Sequence, residues 1–306
     1  MAGLDLLPSS LKSPVSVVCH DAGAANLIFA WLRHWSDSGK LDLVEFNLLL
    51  KGPAENIWLK NPIELARANL KTNLDDVFVN SGCLLSGTGW ASNLEHDARR
   101  LATKFQIPSI AVIDHWVNYE QRFEREGSKV FPNEIWVSDP YAYAIAKSLF
   151  DGISVVELPN TYLNNLVKAI PPASKECKNL LYVIEPIRNN WGKEELGEFQ
   201  ALDYFVKNLS KIVGNEFVNI TLRPHPSDPP DKYSAWIESH SNLGIQLDSH
   251  SNLSDAIANA RWVVGAQTYA MVIACESGRQ TYSSLPPWAN RCSLPLKGII
   301  HLRDIA

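Results

Sequence analysis

Short apolar runs alternate with longer amphipathic stretches along the whole chain. In the first half, Val15–Cys19, Val44–Leu50, Cys83–Ser86, Ser109–Ile113, Glu134–Val137 and Ser154–Leu158 are short and largely apolar, the pattern of buried strands. Between them, apolar positions recur at helical spacing over Leu27–Trp35, Ile63–Leu70, Ser92 to about Phe105, and Tyr141–Phe150. Ser92 with Glu95 has the spacing of a capping box, which gives Glu95 a structural reading. Residues 117–129 are polar and read as a loop or short helix.

The second half repeats the rhythm. Strands are expected at Leu180–Ile184, Val218 to Arg223, Ile245–Leu247, Trp262–Val264 and Gln280–Ser283, and helices at Glu194–Val213, Tyr233–Glu238, Leu253–Ala260 and Tyr269–Glu276, the last stopped by Gly278. Strand–helix alternation predicts mainly parallel sheets, hence an α/β fold of two Rossmann-like, doubly wound domains facing a cleft. The expected boundaries are 1–163 for the first domain, 164–178 for a polar linker containing Pro171-Pro172, and 179–306 for the second.

Composition narrows the function classes. Of 306 residues, 46% are hydrophobic and 20% charged, enough for a real core. A net charge of −5 with no basic block argues against nucleic acid. The amino terminus has neither a basic start nor a long apolar run, so a cytoplasmic protein without a membrane span is expected, with peripheral membrane contact left open. The five cysteines show no CxxC spacing, and neither zinc nor a disulfide framework is suggested.

The stretch with most chemistry is VNITLRPHPSD, residues 218–228. Proline cannot donate to a sheet ladder, so the strand ends by Pro224, and Arg223, His225 and Pro226 fall at its carboxyl end. Ligands bind there in open α/β sheets, and an arginine with a histidine suits phosphate. A turn is the alternative reading of the His-Pro pair. A second loop, Gly265-Ala266-Gln267-Thr268, follows another strand and opens a helix, again suiting an anion.

Two Rossmann-like domains with Arg-x-His-Pro after a strand of the second resemble the GT-B glycosyltransferases, in particular HP-motif enzymes of bacterial surface-polysaccharide assembly such as sialyl- and Kdo-transferases. Arg223, His225, Pro226, Gly265, Gln267 and Thr268 carry the resemblance, with Asp114-His115-Trp116-Val117-Asn118-Tyr119 in the first domain. It implies that His225 and Thr268 contact the phosphate of a CMP-activated sugar. The sequence departs from the pattern where a ribose-binding glutamate would stand, because Ala270-Met271-Val272-Ile273 is apolar and Glu276 comes two turns in.

Inverting transfer needs a base for the acceptor hydroxyl and charge stabilisation on the departing phosphate. Arg223, His225, Gln267 and Thr268 are the phosphate candidates. Asp114 leads as base and Asp21 follows, each with a helix cap or turn bond as its alternative. His20, Gly23, Asn26, Thr88, Gly89, His115 and Arg122 are candidates for the acceptor or sugar side; Arg122, among Glu120, Glu124 and Glu126, also reads as part of a solvated face. No DxD pair stands at a strand end, so a metal-free site with a nucleotide-sugar co-substrate and no cofactor is expected. A UDP-sugar 2-epimerase and a non-catalytic nucleotide- or sugar-binding protein are the competing readings. A dinucleotide oxidoreductase is disfavoured, because residues 20–26 lack GxGxxG.

Overall fold

The computed structural model describes residues 4–187 and 189–305. The chain divides into two compact units, Met1–Tyr162 and Leu163–Ala306.

In unit 1 the order is β1 (Val15–Cys19), α1 (Ala22–Asp37), β2 (Phe46–Leu50), α2 (Gly52–Lys60), β3 (Ala68–Leu70), α3 (Leu74–Val77), β4 (Cys83–Ser86), α4 (Leu94–Lys104) and β5 (Ser109–Val112). A hairpin, β6 (Glu124–Arg125) and β7 (Ser128–Lys129), precedes β8 (Glu134–Val137), α5 (Pro140–Leu149) and β9 (Ser154–Glu157). Seven strands form a parallel sheet in the order β3-β2-β1-β4-β5-β8-β9. The order reverses between β1 and β4, the place where α/β sheets take ligands. Fully buried β1, β2, β4 and β5 explain the continuous apolar runs in the sequence. Trp136 of β8 packs edge-on against Trp31 and Trp35 of α1, with centroids 5.8 and 6.2 Å away.

Helix α6 (Thr161–Ala169) carries the unit boundary, so residues 164–178, read as linker, are helical in their first part. Unit 2 continues with β10 (Asn179–Val183), α7 (Gly197–Lys207), α8 (Leu209–Val213), β11 (Asn219–Arg223), α9 (Ser234–Ser239), β12 (Gln246–Leu247), α10 (Leu253–Ala258), β13 (Trp262–Gly265), α11 (Tyr269–Glu276), β14 (Gln280–Ser283), β15 (Ile299–His301) and α12 (Leu302–Ile305). Its six parallel strands run β12-β11-β10-β13-β14-β15, reversing between β10 and β13. Register places Arg223, Val183, Gly265, Ser283 and His301 in one row near the carboxyl edge.

Two expected helices differ. Ile63–Leu70 is not a helix: its first residues are irregular and Ala68–Leu70 pairs with β2. Ile63 and Leu65 pack into the unit 1 core from a loop. A helix not expected from the sequence, α2, begins at Gly52-Pro53 directly after β2; proline favours the first helical turn. The single helix expected over Glu194–Val213 is α7 and α8, separated at Asn208, whose amide donates to the Tyr204 carbonyl. The edge strand β15 was not foreseen. Among the described residues no helix is long and apolar enough to cross a membrane.

Candidate functional site

Each unit gathers polar side chains at its strand-order reversal. In unit 1 the turn after β1 carries His20 and Asp21. Asp21 occupies the N-cap position of α1 yet makes no side-chain cap bond. Its Oδ1 instead meets His20 Nδ1 at 2.9 Å, and its Oδ2 accepts from Trp90 N at 3.0 Å. His20 and Asp21 side chains are 21% and 24% exposed. Among the described residues His20 Nε2 has no hydrogen-bond partner, which leaves a partly exposed imidazole nitrogen beside an oriented ring.

Glu95 ties this turn to the loop after β4. Oε1 accepts from His20 N at 2.9 Å and Oε2 from Gly89 N at 2.6 Å. The capping-box reading fails: Ser92 Oγ accepts from Leu94 N, while the Glu95 carboxylate turns inward to the two loops. Burial pushes the Glu95 carboxyl above the ordinary range, against the two N–H bonds that hold it down.

Asp114, just past β5, accepts from Arg122 Nη1 at 2.7 Å. Arg122 is buried rather than part of a solvated face, and it also donates to Thr88 Oγ1 and to the Val117 carbonyl. Thr88, itself buried, donates to the Val112 carbonyl. His115 Nδ1 accepts from Trp116 N, and burial lowers the His115 pKa, opposed by Asp114. Gly23 and Gly89 are close-approach positions. A Cβ on Gly23 would stand 1.6 Å from Asp114 Oδ2, and one on Gly89 1.7 Å from Asp21 Oδ2. Trp90 is 47% exposed, with the guanidinium carbons of Arg122 and Arg125 each 5.8 Å from its ring centroid. Arg125 also donates to the Gly89 carbonyl. His20, Asp21, Gly23, Thr88, Gly89, Asp114 and Arg122 are thus joined in one network; Asn26 lies a turn into α1, partly exposed and outside it.

In unit 2, Arg223 pairs with Asp248 and donates to the His250 carbonyl at 3.0 Å. Asp248 is 1% exposed; burial would raise its pKa, and bonds from His250 and Arg223 more than offset that, so its pKa is lowered. The guanidinium therefore braces two loops. His225 and Pro226 stand exposed in the following turn, where His225 Nδ1 meets Ser227 Oγ at 2.7 Å and His225 N donates to Asp228. Behind the turn, Lys232 bridges Asp228 at 2.8 Å and Glu198 at 2.7 Å, and Glu198 accepts from Ile187 N, fastening the loops after β11 and β10 together.

The loop after β10 also carries Glu185. Its Oε2 accepts from Gln267 N at 3.0 Å, and burial raises its pKa. Gly265 ends β13, and a Cβ there would meet the Val183 carbonyl at 2.9 Å. The Gln267 side chain accepts from Ser293, and Thr268 caps α11 by accepting from Ala270 N. Sequence reasoning missed Glu95, Glu185, Trp90, Arg125 and Asp248. Glu185 had a usable signal, being a glutamate at a strand end.

No family model matches the sequence, and no curated protein matches it. Solved structures are similar in fold. The UDP-GlcNAc 2-epimerase from Methanocaldococcus jannaschii aligns over 88% of this chain and 83% of its own, with 9% identity and a TM-score of 0.59. The Neisseria meningitidis UDP-GlcNAc 2-epimerase bound to UDP-GlcNAc aligns over 88% and 82%, with 10% identity and a TM-score of 0.57. HepE of Anabaena, in complex with UDP and glucose, aligns over 95% and 87%, with 9% identity and a TM-score of 0.56. With its two parallel doubly wound sheets, the chain has a GT-B-like fold of two Rossmann-like domains.

Proposed function

We propose that this protein is an enzyme acting on a nucleotide-activated sugar, and that it transfers the sugar to a glycan or lipid-linked hydroxyl with inversion. The His20–Asp21 pair carries the reading. Asp21 holds His20 Nδ1 at 2.9 Å at the strand-order reversal of unit 1, an arrangement that orients Nε2 to take a proton from a hydroxyl. Asp114 is the weaker candidate, because its carboxylate is already engaged by the buried Arg122 at 2.7 Å. In unit 2 the exposed His225 turn and the Gln267–Thr268 helix start take the phosphate, and Arg223 positions the turn through Asp248. A CMP donor follows from the HP-motif resemblance; a UDP donor follows from the ligands of the structures similar in fold.

A second reading, a UDP-sugar 2-epimerase, is favoured by the carboxylates of Asp21 and Glu95, both bonded to His20, and by the fold likeness to such epimerases. Incubation with CMP-nonulosonate and with UDP-N-acetylglucosamine separates the readings. Transfer predicts nucleotide release that rises with added acceptor and falls about 100- to 10,000-fold in His20→Asn. Epimerisation predicts a C2 epimer of the intact UDP-sugar. Binding with neither product indicates a non-catalytic protein and overturns the enzyme reading.

A further inference from the structure

Beside the unit 1 network lies a second pocket that the reaction above does not use. Its volume is about 190 Å³. One wall is a single face of α4, where His96, Asp97 and Arg100 follow Asn93 at helical spacing. The other is the β6–β7 hairpin, which contributes Arg125 and Ser128.

Three observations point to a ligand. His96 is 4% exposed, and its Nδ1 is buried with no hydrogen-bond partner. A buried imidazole nitrogen without a partner forfeits a bond that water would have supplied. Arg125 donates only to the carbonyls of Gln121, Glu124 and Gly89, and no carboxylate among the described residues lies within ion-pair reach of it. Behind the pocket, the fully buried Arg99 has an unpartnered Nε; its other donors go to Gly87, Ser86 and Arg122 oxygens, and the negative charge that faces it is that of Glu95. Burial, followed by the charges of Arg99 and Arg125, lowers the His96 pKa. Of the carboxylates that line the pocket, Asp97 already pairs with Arg100 at 3.2 Å, and Glu126 stands exposed at the hairpin tip.

We infer that this pocket between α4 and the β6–β7 hairpin binds a phosphate-type oxyanion, held by Arg125, Arg100, Ser128 and His96. An oxyanion supplies the counter-charge that Arg125 lacks, and a guanidinium fork suits phosphate geometry. The anion is free phosphate or a phosphate carried by a substrate. The inference does not depend on the nucleotide-sugar reading, because the pocket lies within unit 1 and its occupancy is read directly.

The test uses the full chain labelled with nitrogen-15. The imidazole resonances of His96 are identified by comparison with His96→Gln, and inorganic phosphate and glucose 1-phosphate are titrated separately against chloride of equal ionic strength. A saturable shift of the His96 resonances is expected, with affinity at least about tenfold weaker in Arg125→Gln and, separately, in Arg100→Gln. Tighter binding of the sugar phosphate assigns the site to a substrate; tighter binding of inorganic phosphate assigns it to a free anion. Arg100 is largely exposed, so its variant keeps the fold. No saturable shift with either anion, or unchanged affinity in both arginine variants, overturns the inference.

Discussion

The Asp114 carboxylate occupies the space where a side chain on Gly23 would begin: a Cβ there would stand 1.6 Å from Asp114 Oδ2. Gly23→Ala must therefore displace Asp114 and disturb its bond with Arg122. Overpacking of this kind costs about 1–3 kcal/mol, to be seen as a lower denaturant midpoint with unchanged slope. An unchanged midpoint would mean that the two residues do not meet.

Glu95 offers the same kind of test on the other side of the network. Its carboxylate accepts from His20 N and Gly89 N, whereas a glutamine turns an NH₂ toward one of them. Glu95→Gln should lose about 1–3 kcal/mol of stability in urea denaturation. It should also lower turnover, because both loops lose their shared anchor.

The raised pKa of Glu185 gives a pH signature. A carboxyl whose folded pKa lies above its unfolded value contributes stability that is fully present below the unfolded value and lost as pH rises through the folded one. The stability of the wild type relative to Glu185→Gln should therefore begin to fall near the ordinary glutamate value of about 4.3 and go on falling as pH rises through the raised folded value. Urea midpoints of both proteins across that range measure it; a constant difference would mean that Glu185 is not desolvated.

Arg223 and His225 should separate in their effects. Arg223→Met leaves the Asp248 carboxylate, 1% exposed, with His250 as its remaining side-chain partner. The expected loss is about 2–4 kcal/mol, at the lower side for buried pairs because Arg223 is 23% exposed. His225 is exposed and its ring meets only Ser227, so His225→Ala should change stability by no more than about 0.5 kcal/mol. Chemical denaturation of the two variants checks both expectations.

Much of this fold was legible because buried parallel strands write continuous apolar runs: β1, β4, β5, β10 and β13 all follow from them. Loop residues that pack into the core misled the reading at Ile63 and Leu65. The strand-end loops were also legible, since Asp21, Asp114, His225 and Gln267 follow strands directly. Their partners were not. Glu95 lies 75 residues from His20, and Asp248 lies 25 from Arg223; such pairings are set by strand order and register, which local patterns do not encode. Glu95 was hidden further by a capping-box spacing that its side chain does not use.

The most direct measurement of the central claim is a thermal-shift screen of the purified protein against CMP, CDP, UDP, GDP and ADP, repeated on His225→Ala. A nucleotide at about a hundred times its dissociation constant should stabilise the native state by roughly 2.7 kcal/mol. The predicted result is a rise in Tm with a cytidine or uridine nucleotide that disappears in the variant, whose own stability is unchanged. No rise with any nucleotide, or the same rise in both proteins, would contradict a phosphate site at the His225 turn.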